Sequence, residues 1–143
     1  MRSKALESGQ GKAWALILES GDEFSDCIHR FAKDNHLSAA DFKGIGAFRR
    51  VVVGYFDWER KDYKRIPFDE QLEVLALTGD VALENGKAKA HAHVVLGGQD
   101  GSVCGGHLLE AHVRPTLEIV VRESPQELKR VYDPESGLNL IKP

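Results

Sequence analysis

The chain has 143 residues, enough for one ordinary domain with a core of its own. Hydrophobic residues make up 42% and charged residues 29%, with a net charge of −3, which excludes a charge-driven disordered chain. No run nears the ~18 apolar residues of a membrane span. The two cysteines, Cys27 and Cys104, form no Cys-x-x-Cys pair, and no apolar segment follows Arg2 and Lys4. Neither a disulfide framework nor a secretory signal is therefore legible, and the cytoplasm is the expected compartment.

In chain order, Ala13–Leu18 is a short apolar run ahead of Ser20-Gly21-Asp22 and reads as a buried strand. Asp22 is placed as an N-cap, with Glu23 in the first turn. Phe24, Cys27, Ile28 and Phe31 then fall at helical spacing, so a helix is expected over 23–35 with Cys27 on its packed side. His29 and His36 lie on or just after it, His36 near the C-terminal dipole. Past the helix the period changes to two. Strands are expected at Asp41–Ile45, Arg49–Phe56, Tyr63–Ile66 (before Pro67), Leu72–Thr78 (closed by Gly79-Asp80), Lys87–Leu96, Ser102–Val113 and Thr116–Arg122. Pro125 after Ser124 suggests a terminal helical turn over 125–131. One helix beside consecutive strands means an α+β domain, a mainly antiparallel sheet with the helix packed against it. One domain is expected over 1–143, with its core at about 12–124 and frayed ends. The pairs Gly44-Ile45-Gly46 and Gly97-Gly98 lack a following helix and read as turns, not phosphate cradles.

Three of the six histidines form the informative constellation. Between Lys87 and Leu96 the alternation puts Ala88, Ala90, Ala92, Val94 and Leu96 on one face, and His91 and His93 together on the other. The segment Gly98-Gln99-Asp100-Gly101-Ser102 should reverse the chain. A three-residue loop at 99–101 sets His93 opposite His107, whereas a two-residue loop puts His107 on the wrong face unless a bulge at Gly105-Gly106 restores it. His91, His93 and His107 then converge. Three imidazoles with an open fourth position suit zinc or another divalent transition metal. The bland alternative is a set of inert histidines on a polar strand face. Cys104 offers a fourth ligand, but in regular extended chain its odd spacing from His107 points it away. Glu110 and His112 share parity and are either supports for the ligands or ordinary surface groups.

Nucleophilic chemistry has little support, and no catalytic residue is assigned. There is no Gly-x-Ser-x-Gly elbow, Ser102 has no base, and Cys104 has no helix N-terminus to activate it. Trp14 and Trp58 read as core or interface aromatics. Residues 43–65 carry seven Lys/Arg against three Asp/Glu, while 66–127 carry four against ten. Arg49, Arg50, Arg60, Lys61, Lys64 and Arg65 are the candidates for phosphate contact, although interleaved acids also fit a solvated loop. The isoelectric point near 6.1 is not that of a typical nucleic-acid binder.

Leu72-Glu73-Val74-Leu75-Ala76-Leu77-Thr78-Gly79, His91-Ala92-His93, Gly105-Gly106-His107-Leu108-Leu109 and Thr116-Leu117-Glu118 together resemble the PPC (plant and prokaryote conserved) domain over about residues 12–124. The resemblance implies an α+β fold assembled as a homotrimer, with zinc at the positions of His91, His93 and His107. Prokaryotic members carry a provisional DNA-binding label. Plant members reach the minor groove with an AT-hook arm. No such arm is present in this sequence, where Arg114-Pro115 stands alone and should begin a strand. Two classes of function follow: a DNA-associated or regulatory trimer, and a metal-dependent enzyme or small-molecule binder using the open histidine site. DNA contact, if made, should be weak, phosphate-dominated and without sequence selectivity.

Overall fold

Residues 1–6 and 11–142 are described by a computed structural model, and among them nine strands and one helix are found. In order these are β1 (Arg2–Leu6), β2 (Ala13–Glu19), α1 (Phe24–Asp34), β3 (Ala39–Asp57), β4 (Asp62–Phe68), β5 (Leu72–Glu84), β6 (Lys87–Gly97), β7 (Val103–Glu123), β8 (Lys129–Asp133) and β9 (Leu138–Lys142). The strands form one sheet in the order β1-β2-β7-β3-β5-β8-β9, with β4 added to β3 and β6 bridging β5 and β7. Every pairing is antiparallel except β5 with β8. The architecture is thus the expected α+β type. No helix among the described residues is long and apolar enough to cross a membrane.

Alternation sorts the sheet into two faces. Trp14, Leu16 and Leu18 of β2, Val51 and Val53 of β3, and Ala111, Val113, Leu117, Ile119 and Val121 of β7 are buried in one core. Onto it α1 sets Phe24, Cys27, Ile28, Phe31 and Ala32, with Phe31 edge-on to Trp14 at 5.6 Å. The helix cap is Glu23 and not Asp22: the Glu23 carboxylate accepts from the Asp26 N–H (2.8 Å) and from the Ala111 N–H (3.2 Å). Asp22 instead accepts from the Glu19 N–H at 2.9 Å, closing the turn before the helix. His29 is not free surface, since its Nε2 accepts the Ala90 N–H (3.1 Å) and so satisfies a donor on β6.

Several expected breaks are absent. Asp41–Ile45 and Arg49–Phe56 are one strand, β3, whose pairing shifts register around Gly44–Gly46 and again near Phe48. Thr116–Arg122 and Ser102–Val113 are likewise one strand, β7, which runs through Arg114-Pro115 (a cis peptide), so that pair does not begin a strand. Pro67 lies inside β4, which pairs only with β3, and an edge strand is where a sheet tolerates proline. The ends are not frayed where they are described: β1 pairs with β2, and residues 129–133 are strand, not helix, because β8 pairs with β5 and β9. Positions 7–10 of the N-terminal end lie outside the described residues.

Glycine at position 79 reads as a strand end, yet β5 continues through it. Phe42 stands directly opposite in the β3–β5 register, and its ring occupies the space over Gly79. A Cβ there would sit 2.4 Å from Phe42 Cζ and 2.3 Å from the His91 carbonyl oxygen. The missing side chain is therefore what lets a core aromatic cover the strand. Gly79→Val should destabilise the protein by about 3 kcal/mol, because neither ring nor backbone can yield that space. Chemical denaturation against the wild type measures it; a loss under about 1 kcal/mol would contradict the packing argument.

Candidate metal centre

The site begins with a hairpin. Gly98 N–H donates to the Ser102 carbonyl (2.8 Å), the Asp100 carboxylate accepts from Ser102 N–H (2.9 Å), and Gly101 takes φ +81°. This three-residue loop fixes the pairing Gly97 with Val103 through to His93 with His107, with no bulge between. Of the three registers weighed from sequence, the first is the one formed. Gly105 serves a different purpose from the bulge: a Cβ on it would lie 2.2 Å from the Val94 carbonyl oxygen. The bare backbone lets β7 lie close on β6 just where the histidines meet.

His91, His93 and His107 each bring one ring nitrogen to a common point, the three atoms lying within 4.8 Å of one another. Their ring centres are 4.9, 5.2 and 5.4 Å apart. A tetrahedral ion bonded to one nitrogen of each ring at about 2.0–2.1 Å would set ring centres roughly 5 Å apart. His91 Nε2 and His107 Nδ1 are buried and have no hydrogen-bond partner. Two orphaned imidazole nitrogens within one cluster are costly for a protein without a ligand there, and imidazole nitrogens are metal-binding atoms. The residues present thus fit a divalent transition metal.

The electrostatics favour the ligand form of the rings. Burial, reinforced by the neighbouring His91 and His93, pushes His107 down to about 4. Burial also lowers His91, opposed by the Asp80 carboxylate. Tyr63 lies flat on His107, ring centres 4.4 Å apart and planes 18° off parallel, fixing the imidazole plane. Burial raises the Tyr63 phenol further above its ordinary value, so it remains neutral.

Other candidates fall elsewhere. Cys104 packs against the core, its thiol pushed up by burial, on the face of β7 opposite His107. Glu110 and His112 do not support the ligands: Glu110 binds Arg50, sits 3.0 Å from His112 Nε2 and 3.7 Å from Arg65, and Arg50 holds its carboxyl below the ordinary range. The basic set does not form one stripe. Arg49 and Arg50 line a groove with Arg114 and His112. Arg60 and Lys61 sit in the β3–β4 turn, where Lys61 donates to the Glu135 carbonyl and lies 3.9 Å over the half-exposed Trp58 ring. Lys64 and Arg65 are consecutive on β4 and therefore face opposite ways.

Sequence reasoning missed the wall of the site. The β8–β9 hairpin closes a cleft of about 480 Å³ that reaches His91 and His107 and is lined also by Tyr63, Lys89, Arg130 and Leu140. The signal was present in Asp133-Pro134-Glu135-Ser136-Gly137 between two short alternating runs.

Fold and site define a mainly antiparallel α+β protein carrying a three-histidine cluster between two strands. The profile of the Plants and Prokaryotes Conserved (PCC) domain matches residues 5–125, and the chain belongs to that family. Among solved structures it is similar to a PPC protein of Pyrococcus horikoshii (33% identity, TM-score 0.87, covering 96% of this chain and 98% of that one). It is also similar to a metal-containing protein of Archaeoglobus fulgidus (37%, TM-score 0.87, 98% and 99%). A third is a Bacteroides thetaiotaomicron protein provisionally described as DNA-binding (27%, TM-score 0.90, 98% and 96%). No curated protein matches the chain.

His107 gives a pH signature that needs no metal. Its folded value near 4 lies below the ordinary value of about 6.5, so the unfolded chain takes up the proton first. Stability of the metal-free protein should be fully present above about pH 6.5 and fall as the pH drops towards 4. His107→Phe should flatten that fall. Thermal melts of both proteins at about pH 7.5 and pH 5 test it, and equal slopes would refute the burial argument.

Proposed function

We propose that the chain is one PPC domain, working in the cytoplasm as a homotrimer in which each copy holds one zinc-class divalent ion on His91, His93 and His107. The observation that carries the metal reading is the cluster of His91, His93 and His107, one ring nitrogen of each within 4.8 Å of the others, in which His91 Nε2 and His107 Nδ1 are buried without a partner. The metal-containing Archaeoglobus fulgidus relative supports it. Three neutral imidazoles leave at least one position open, and a bound ion of this class supplies Lewis-acid chemistry there. Metal analysis of the purified protein at neutral pH should find one ion per chain, lost in His93→Ala and bound more weakly as the pH falls. Absence of stoichiometric metal after incubation with zinc would refute the reading.

The trimer is supported by an uncovered apolar face. Ile45, Leu75, Val95 and Val103 are 61%, 51%, 43% and 63% exposed, and Ile17, Ile45, Leu75 and Val120 line a groove of about 540 Å³. Exposed apolar surface of that kind marks an interface, and cyclic symmetry satisfies each copy alike. Sedimentation at micromolar concentration should show a trimer that Leu75→Lys dissociates. A stable wild-type monomer would refute it.

DNA is the second partner, favoured by the provisional DNA-binding description of the Bacteroides thetaiotaomicron relative. The basic side chains are dispersed and Arg50 and Arg65 are already engaged by Glu110. No recognition helix is offered among the described residues, since α1 packs its apolar side on the sheet. Binding is therefore weak and phosphate-dominated, through exposed groups such as Arg49, Arg60 and Lys64. Gel shifts should show affinity collapsing with salt and varying little between sequences, with Arg49→Glu weakening all alike. Tight, sequence-selective binding at physiological salt would overturn this.

A further inference from the structure

The cleft beside the histidines has a charge and a shape that select a ligand. Its polar end is formed by His91 and His107, whose buried nitrogens have no partner. The charged groups around it cancel: Lys89 and Arg130 stand against Glu84, which also lines the cleft, and Asp80, which binds Arg130. No carboxylate belongs to the histidine cluster. A divalent ion on three neutral imidazoles would therefore keep its whole charge of two, in a site that already withholds water from two rings. An anionic oxygen ligand answers that charge where a neutral one does not.

The rest of the cleft is apolar in character. Leu138, Leu140 and Ile141 of the β8–β9 hairpin line one side, and the Tyr63 ring lines another while stacking on His107. Its volume of about 480 Å³ suits a metabolite-sized molecule and not a duplex or a folded partner. We propose that this cleft binds a small carboxylate with an apolar body, the carboxylate directed to the metal held by the three histidines and the body laid against the β8–β9 hairpin. The inference rests on the metal reading above. Within it, Leu140 is a specificity-determining residue, Tyr63 and the hairpin form the wall, and the ligand class is set by charge at one end and apolar area at the other.

Calorimetric titration of the zinc-loaded, full-length protein, with zinc content measured first, tests the proposal. Hexanoate is the probe, acetate the probe without the apolar body, hexanamide its uncharged counterpart and inorganic phosphate an anion without a carboxylate. Burial of its extra methylenes favours the longer chain, so hexanoate should bind at least about tenfold tighter than acetate. It should exceed hexanamide by at least about tenfold too, since only the anion meets the charge of the ion. Leu140→Asp should weaken hexanoate by a similar factor while zinc stays at one per chain; Leu140→Met should retain binding. With zinc at one per chain, hexanoate no tighter than hexanamide or acetate overturns the proposal and leaves the metal reading standing. Phosphate binding tighter than hexanoate overturns it too, because the apolar wall would then select nothing. A protein that fails to load zinc at all overturns both.

Discussion

The pairing of His93 with His107 is the contact on which the site depends. It places a ring from each strand of one hairpin side by side, and alternation along β6 adds His91 to the same face. The register is set by a three-residue loop and by Gly105, whose bare backbone lets β7 approach β6. One residue more or fewer in that loop would turn His107 onto the core face and dissolve the cluster. The histidines are therefore held by backbone hydrogen bonding between rigid strands, with Tyr63 as the one aromatic support.

What those strands hold is costly by itself. A buried polar atom without a partner costs about 1–3 kcal/mol, and the cluster has two. Burial also strips His107 of its ability to ionise at neutral pH, removing the other way an imidazole could recover that loss. An arrangement kept neutral, close and partnerless opposes folding unless something binds to it. By contrast, the part-buried His29 is satisfied internally, since it accepts a β6 backbone N–H. The comparison separates a histidine satisfied within the fold from a cluster that is not.

The sequence was most legible where local rule and tertiary environment agree. Between Lys87 and Leu96, alanines and valines alternate with lysines and histidines, and the burial of β6 follows that pattern. The helix was legible for the same reason, its apolar spacing matching the face it buries. Reading failed where a breaker residue is tolerated for a non-local cause. Gly79 continues a strand because Phe42, 37 positions earlier, covers it. Pro67 is tolerated because β4 has a strand on only one side. The C-terminal segment read as helix from Pro125, whereas it becomes strand by pairing with β5, a partner that no local window contains. The wall of the cleft was lost with that error.

Charge, too, is distributed by the fold and not by order along the chain. A window count treats 43–65 as one basic segment, but outward positions on a strand are every second residue, and a strand crosses several environments. Along β7 the outward side chains pass from Val103, in the apolar zone, to His107 in the cluster, and then to Glu110 and His112 among arginines. Glu110 lies in an acidic window by sequence, yet this carboxylate pairs with Arg50 and lies 3.7 Å from Arg65 of the basic one, offsetting one of their two charges. Charges far apart in the chain are thus paired across strands, and the local excess of +4 that the sequence displays is reduced by a carboxylate from outside the segment. The field left for a polyanion is smaller than the count implies, while the uncompensated charge that an ion on the histidines would bring lies on the cleft side of the sheet.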